Sequence, residues 1–187
     1  NTILASQDTD TGMVTYFQST RPGYVKLFCT PFDSFWCCTG TGMENHAKYG
    51  DTIYLQSAAG DALYVNLFIA STLDWREKGV ALRQTTTFPE AGKTRLEITA
   101  AAGRELALNI RHPAWAATAA VKINGAAAET SRAPGSFVSL KRAWKAGDVV
   151  EVEMPMTLRT ELLPGTNDTA AIMYGDRKST RLNSSHV

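Results

Sequence analysis

Residues 62–71 read ALYVNLFIAS, and this stretch indicates the fold class because its side chains alternate between two sets. Leu63, Val65, Leu67 and Ile69 form one set, and Tyr64, Asn66 and Phe68 form the other. Successive side chains of a β-strand point to opposite faces of the sheet. The period of two therefore predicts a strand that buries one face.

Further short segments with the same pattern follow, and turn residues separate them. They are VALRQTTTF (80–88), TRLEITA (94–100), ELALNIR (105–111), AVKI (120–123), SFVSL (136–140) and DVVEVEM (148–154). Asn124-Gly125 accepts the positive φ angles of a tight hairpin turn. Short strands at this spacing predict a mainly β protein, an antiparallel β-sandwich. Its inward faces are led by Leu63, Val65, Leu67, Leu106, Leu108, Ile110 and Val152.

The amino-acid composition and net charge limit the classes of protein to which this chain can belong. The 187 residues are 44% hydrophobic and 20% charged, which is ordinary for a globular protein with one sizeable core. The net charge of +1 comes without a cluster of Lys and Arg among aromatics, so we expect no nucleic-acid partner. No apolar run is long enough to span a bilayer, so we expect no membrane partner. Three cysteines make no disulfide framework, and unpaired thiols favour a reducing, cytoplasmic compartment.

The two ends of the sequence lack the strand pattern. Residues 1–35 are irregular, and TGMENHAKYGD (41–51) predicts a short helix with Thr41 as N-cap, Glu44 in a capping box and Gly50 at its end. The last segment, YGDRKSTRLNSSHV, has almost no apolar residue after Tyr174. We therefore predict that residues 176–187 are disordered, and we interpret them as a non-native tail.

Cys37 and Cys38 are adjacent, which is unusual in a chain with only three cysteines. Two interpretations stay open on the residues alone. The pair forms two small buried apolar residues in a turn, because free cysteine is often buried and inert. Alternatively, both sulfurs reach one metal ion at a strand end or a turn, which the run from Thr39 to Gly42 makes flexible enough. Zinc takes four ligands, and nothing in the setting of Cys29 demands that it be a third.

Other polar and aromatic residues have mainly structural interpretations. For Glu44 and His46 we favour helix capping and packing, and for Asp33 a turn. His112 precedes a proline after a strand, which indicates a strand exit. The tryptophans Trp75, Trp115 and Trp144 fit a sandwich core better than a sugar site.

Several motifs occur in the same order as in a known enzyme family. They are FWCCTGTGMENHAKYGDTIY, LYVNLFIAS, TTTFP, IRHPAW, VKING and MPMTLR. In this series the chain resembles glycoside hydrolase family 127, whose typical members are β-L-arabinofuranosidases. The resemblance covers roughly residues 10–175, and the double-cysteine motif is its most specific part.

The resemblance implies both a domain order and a metal site. Residues 1–50 would be the last segment of a truncated catalytic (α/α)6 barrel, and residues 51–175 a β-sandwich region in one part or two, the last incomplete. Cys37 would be the nucleophile and a zinc ligand, and Cys38 a second zinc ligand. The remaining ligands, a glutamate and a cysteine that Cys29 does not match, would lie upstream of this chain with the glutamate acid/base.

The function implied is hydrolysis of β-L-arabinofuranosides with release of L-arabinofuranose and retention of configuration. A cysteine thiol with a pKa near 8.5 is mostly protonated at neutral pH, and a bound metal favours the thiolate. Without the acid/base and two ligands, we expect the isolated fragment to be inactive. The alternatives are a non-catalytic sandwich that binds carbohydrate or packs on a partner domain, and a structural zinc-binding module.

Overall fold

The structure, a computed structural model, describes residues 6–17, 19, 24–34, 36–103, 105–128, 133–165, 167 and 169–178. The chain divides into two compact units, which are treated separately below. One unit comprises Asn1–Gly50 with Arg159–Val187, and the other comprises Asp51–Leu158. No helix within the described ranges is long and apolar enough to cross a membrane. The predicted domains 1–50 and 51–175 stay predictions.

Short strands make up most of the regular structure. The helix α1 spans Cys37–Ile53, and a short 3-10 helix spans Arg76–Lys78. The strands are β1 Tyr54–Gln56, β2 Ala62–Val65, β3 Ser71–Trp75, β4 Val80–Thr86, β5 Lys93–Ala100, β6 Glu105–His112, β7 Ala120–Ile123, β8 Ala126–Ala127, β9 Ser136–Ala143, β10 Val149–Glu153, β11 Leu158–Leu162, β12 Ala170–Tyr174 and β13 Arg177–Lys178.

Two sheets form the Asp51–Leu158 unit. The four-stranded sheet has the order β1-β2-β6-β9, and the six-stranded sheet has the order β3-β4-β5-β10-β7-β8. Among the pairings described in this unit, β2 with β6 is parallel and the others are antiparallel. The predicted mainly β, antiparallel sandwich is confirmed, whereas the preceding barrel segment stays a prediction.

The core lies between these two sheets. Both sheets contribute side chains that are 2% exposed or less. They include Val65, Leu108 and Ile110 from the four-stranded sheet and Leu82, Leu96, Ile98, Val150 and Val152 from the six-stranded one. In the six-stranded sheet, β4, β5 and β10 alternate buried and more exposed residues along most of their length. Alternation of this kind is what the sequence pattern predicts for a sheet that buries one face.

The prediction is wrong for one residue that the sequence pattern placed in the core. Leu67 was expected to continue the buried face of residues 62–71, but it is only half-buried, and Phe68 is 6% exposed instead. The reason is that β2 ends at Val65. The next two N–H groups bond to the carbonyl of Ile53, at 2.9 and 3.3 Å, so the chain leaves the sheet and the period of two stops there.

The Asn124-Gly125 turn is confirmed. Both residues have positive φ angles, 52° and 83°, and they connect β7 to β8. The Asn124 side chain donates to Asp148 Oδ1 at 2.8 Å and accepts from the Val149 N–H at 2.8 Å. The turn residue therefore also fixes the start of β10.

The predicted helix is longer than expected at both ends. It begins at Cys37 rather than after Thr41, and it continues to Ile53. Thr41 and Gly50 are therefore interior helix residues and not caps. The glycines and threonines in this run have low helix propensity, which explains why the pattern suggested a flexible turn.

A three-stranded sheet, β11-β12-β13, follows the sandwich. The prediction that the tail is disordered from Asp176 onward is wrong for its first residues, because Arg177 pairs with Tyr174 in β13. Backbone pairing needs no apolar side chain, so composition could not reveal it. The rest of the predicted tail, residues 179–187, lies outside the described residues.

Candidate active site

The two adjacent cysteines occupy the first two positions of α1. The Thr39 N–H bonds to the Trp36 carbonyl at 2.9 Å, which closes the first turn, and Thr39 is 2% exposed. Cys37 and Cys38 are both exposed, with free thiols. The interpretation as two buried apolar residues in a turn is therefore wrong, because the helix starts with Thr39, not the cysteines, on its buried side.

The two thiols lie close together. The distance between Cys37 Sγ and Cys38 Sγ is 3.7 Å, which is far too long for a disulfide bond. The first turn of a helix carries free N–H groups and a partial positive charge, which favour negative charge at this position. The hydrogen bond with Cys37 raises the pKa of Cys38. The Cys38 thiol therefore holds its proton more strongly than an isolated cysteine does.

Tyr16 belongs to the surroundings of the pair, because its phenol is close enough to both cysteines for them to shift its pKa. Negative charge on Cys37, and next on Cys38, raises the pKa of Tyr16, so the phenol stays a proton donor towards thiolates. Its ring packs on Trp36, with centroids 5.4 Å apart, and on Phe17 at 4.8 Å. One residue therefore connects the thiols to an aromatic cluster.

Irregular backbone pairing fixes the segment around Tyr16. The preceding residue, Thr15, forms an isolated bridge with Phe28, and the Cys29 N–H bonds to the Val14 carbonyl at 2.9 Å. Sequence reasoning missed Tyr16 because it lies 21 positions before Cys37 and no spacing rule links the two. The only available signal was its place among other aromatics.

The other residues considered near the motif do not complete a metal site. Cys29 is buried, and Glu44 is exposed on α1. His46 Nδ1 lies 3.0 Å from the Gly42 carbonyl, and its ring packs on Tyr49, which agrees with a packing role. Across the described part of the chain, no group of three or more His, Cys, Asp or Glu residues could hold a metal ion.

The thiol pair nevertheless fits two corners of a tetrahedral zinc site. Zinc binds cysteine sulfur at about 2.3 Å, so two sulfurs on one tetrahedral ion lie about 3.8 Å apart. The observed separation of 3.7 Å is close to the length of this edge. Thiolates are also the soft ligands that zinc accepts readily in proteins.

The tryptophans proposed as a less favoured sugar site belong to the sandwich unit. Trp144 is 2% exposed, and its indole N–H donates to the Leu106 carbonyl at 3.0 Å. Trp75 and Trp115 pack partly buried against the core, and Trp115 stacks on Phe88 at 6.1 Å. His112 ends β6, as predicted, and is 3% exposed.

Comparison with protein families gives two matches on this chain. A model described as the β-L-arabinofuranosidase GH127 catalytic domain matches residues 1–51, which include both exposed cysteines. A model described as the β-L-arabinofuranosidase GH127 middle domain matches residues 62–156, the bulk of the sandwich unit. Comparison with curated protein sequences gives no match.

Comparison with solved structures also finds glycoside hydrolases. A glycoside hydrolase is 25% identical, with a TM-score of 0.79 over 95% of this chain and 32% of that one. A GH127 β-L-arabinofuranosidase from Geobacillus stearothermophilus T6 is 28% identical, with a TM-score of 0.68 over 76% of this chain and 23% of that one. The GH127 β-arabinofuranosidase BT3674, 23% identical with a TM-score of 0.78 over 95% of this chain and 31% of that one, supports the fold.

This chain spans less than a third of the length of each of these structures. The middle-domain match alone covers half of the 187 residues, and the catalytic-domain match accounts for the segment with the thiol pair. The chain therefore belongs to glycoside hydrolase family 127.

Proposed function

We propose that this chain supplies the nucleophile and two zinc ligands of a retaining β-L-arabinofuranosidase. The observation that carries the proposal is the pair of exposed thiols, 3.7 Å apart at the first turn of α1. Family membership supports a glycosidase acting on carbohydrate. The assignment of roles to Cys37 and Cys38 rests on the resemblance of the motif to that of the family.

Cys37 and Cys38 would hold the zinc ion through their sulfurs. Since the described residues bring no third ligand to the pair, the site requires two ligands from elsewhere in the catalytic domain. A bound zinc ion would keep the Cys37 sulfur deprotonated at neutral pH, which makes it nucleophilic. The partial positive charge at the start of α1 acts in the same direction.

Cys37 then carries out both steps of the reaction. Its sulfur attacks the anomeric carbon, and a C–S bond forms while the bond to the leaving oxygen breaks and that oxygen takes a proton from a carboxylic acid. In the second step, water gives a proton to the carboxylate and attacks the same carbon. The C–S bond breaks, and its electron pair returns to sulfur. Two inversions at one carbon retain the configuration.

Tyr16 would position the reacting sulfur. Its hydroxyl would donate a hydrogen bond to a thiolate, because the nearby cysteines raise the pKa of the phenol, and its ring is held against Trp36 and Phe17. A donor fixed in this way restricts the side-chain rotation of the thiols before the sugar arrives. Because the phenol lies in the immediate electrostatic environment of the sulfurs, we expect its removal to affect the chemical step more than the binding of the substrate.

The test uses a longer enzyme in which residues 1–187 are joined to the rest of a family 127 catalytic domain. We expect Cys37→Ser to lower the hydrolysis of an aryl β-L-arabinofuranoside by about a thousandfold or more, because serine is a weak nucleophile and a poor zinc ligand. Cys38→Ser should lower both bound zinc and turnover. Cys29→Ser, at a buried cysteine of the same unit, is the matched control.

Equal activity in Cys37→Ser and Cys29→Ser would contradict the proposal. The isolated 187-residue chain, with zinc and a reductant added, should release no aryl group above the buffer rate. Two ligands leave a metal ion open to water and chelators, so we expect weak zinc binding by the chain alone. Release of the aryl group by the chain, lost in Cys37→Ser, would show that the site needs fewer residues than proposed.

A further inference from the structure

A cleft of about 240 Å³ opens at one end of the sandwich, within the Asp51–Leu158 unit. It lies where β2, β4 and β6 begin and β9 ends, and the loops between these strands form its walls. The residues that matter for its chemistry are Asp61, Lys78, Val80, Glu105, Leu106 and Trp144. None of them takes part in the proposed chemistry of the thiol pair.

The floor of the cleft is apolar. Val80 and Leu106 are 9% and 8% exposed, and Trp144 is 2% exposed. The indole N–H of Trp144 is bonded to the Leu106 carbonyl and the Arg142 guanidinium lies over its ring at 5.3 Å, so Trp144 closes the bottom of the cleft and presents no polar group to a ligand. A floor of this kind favours contact with C–H groups.

Asp61 is one of the charged groups at the rim, and it is held in place. The Ser57 hydroxyl donates to its Oδ1 at 2.6 Å. This hydrogen bond is the main cause that lowers the pKa of Asp61, so the group is a carboxylate at neutral pH. Its second oxygen can accept hydrogen bonds from a ligand.

Lys78 faces the same cleft as a donor. Its ammonium group lies 5.8 Å from the centroid of the Trp75 ring, which fixes the direction of the side chain. Gly60 allows this arrangement. A Cβ atom at position 60 would lie 2.5 Å from Lys78 Nζ, and the φ angle of +65° also favours glycine.

Glu105 contributes the second carboxylate, and it is ion-paired with Lys141 at 2.9 Å. Both side chains of this pair are exposed. The rim therefore carries Asp61, Glu105 and Lys78, and Lys141 next to the cleft compensates the charge of Glu105, so the charges around the cleft cancel. The carboxylates repel an anionic ligand, and the ammonium groups repel a cationic one. This balance of charges therefore favours a neutral ligand that has both hydrogen-bond donors and acceptors.

A neutral sugar ring has these properties. Its hydroxyls can donate to Asp61 and Glu105 and accept from Lys78, while its C–H face lies on the floor. Clefts that hold drug-sized ligands measure roughly 300–1,000 Å³, so the smaller volume here suits a single ring. We propose that this end of the sandwich is a non-catalytic binding site for one neutral sugar ring, oriented by Asp61, Lys78 and Glu105.

The test is a residue-resolved NMR titration of the 187-residue chain with L-arabinose and with D-galactose. We expect saturable shifts at the backbone amides of Gly60, Asp61, Gly79 and Leu106. Lys78→Met and Glu105→Gln should each weaken the affinity about tenfold, because each removes a charge-assisted hydrogen bond. Both residues lie on the rim and neither belongs to the buried core, so the variants should fold.

Lys93→Met and Glu153→Gln are the matched controls. They remove another exposed ion pair of the same unit, at 3.2 Å, and neither residue lines the cleft. We expect wild-type affinity in both. Three results would each overturn the proposal: no saturable shift at the four amides with either sugar, equal weakening in the control variants, or tighter binding of the anion D-galacturonate than of D-galactose. The readout does not depend on Cys37, so its failure leaves the proposed hydrolase function untouched.

Discussion

The sandwich unit and the segment that carries the thiols differ in how much of their apolar surface they bury. In the Asp51–Leu158 unit, Leu96 and Ile110 are 0% exposed in a continuous core. Among residues 24–34, Leu27 is 76% exposed and Phe32 is 92% exposed. The sandwich therefore derives its stability from contacts within this chain, whereas the region around Cys37 leaves large side chains uncovered and brings together two exposed thiols.

The stability of the sandwich and the function of the thiol site therefore depend on different groups of residues. A core that closes on itself is sensitive to its own side chains. A site built on an uncovered surface depends on groups that the described residues do not provide. Substitutions in the sandwich should change its folding stability, and substitutions near the thiols should change activity.

The largest effect on folding stability should come from Leu96→Ala, compared with Leu27→Ala in the same 187-residue chain. The substitution is chemically identical, but Leu96 is 0% exposed and Leu27 is 76% exposed. We expect Leu96→Ala to lower the free energy of unfolding of the sandwich by about 2–5 kcal/mol, and Leu27→Ala to change it by about 0.5 kcal/mol or less. Urea unfolding followed by tryptophan fluorescence measures both. Similar losses for the two variants would break the comparison.

The next effect concerns the thiol site. In the longer enzyme, Tyr16→Phe should lower kcat about tenfold with little change in KM, because it removes the hydroxyl that orients the sulfurs and no contact with the distal part of the substrate. Tyr24→Phe is the control, since Tyr24 is 64% exposed in the same unit. Steady-state kinetics with an aryl β-L-arabinofuranoside give both constants. A rise in KM at unchanged kcat would assign Tyr16 to substrate binding instead.

The smallest effect is a pH dependence in the sandwich. The hydrogen bond from Asn124, and next the Lys145 N–H, lower the pKa of Asp148, which is 7% exposed. With a folded-state pKa below the unfolded value of about 3.9, the carboxylate stabilises the fold above that value. The contribution is lost as the pH falls through the folded-state pKa.

Asp148→Asn should therefore cost about 1 kcal/mol at neutral pH, and this difference from the wild type should shrink as the solution is acidified through pH 4. Urea unfolding across this pH range measures the difference. Glu153→Gln, at an exposed ion pair of the same strand region, is the control. A difference that stays constant with pH would show that Asp148 acts through packing rather than through its charge.

The sequence predicted the sandwich well because one physical rule governs it. A strand that buries one face must alternate, so Leu63, Val65, Leu108 and Val152 were identifiable as core residues. The rule failed at Leu67, where backbone bonds to Ile53 end β2. Hydrogen bonds between backbone groups leave no mark on the pattern of apolar side chains, and β13 was missed for the same reason, because it pairs with β12 through its backbone and has no apolar residue.

The site was predictable only in part. Two adjacent cysteines are visible in the sequence, and the motif around them carried the family resemblance. Their place at the start of α1 was not predicted, because the threonines and glycines from Thr39 to Gly42 have low helix propensity and gave no helical signal there. Tyr16 could not be found either, since only the folded chain brings position 16 to the thiols.

The most direct measurement is the mass of the longer enzyme after brief reaction with an activated β-L-arabinofuranoside and an acid quench. The account predicts one added anhydro-arabinose residue, located on the peptide that contains Cys37 and absent in Cys37→Ser. Cys29→Ser should carry the same adduct as the wild type. An adduct on any other residue, or turnover that survives in Cys37→Ser, would contradict the claim that the thiol pair at the start of α1 provides the nucleophile.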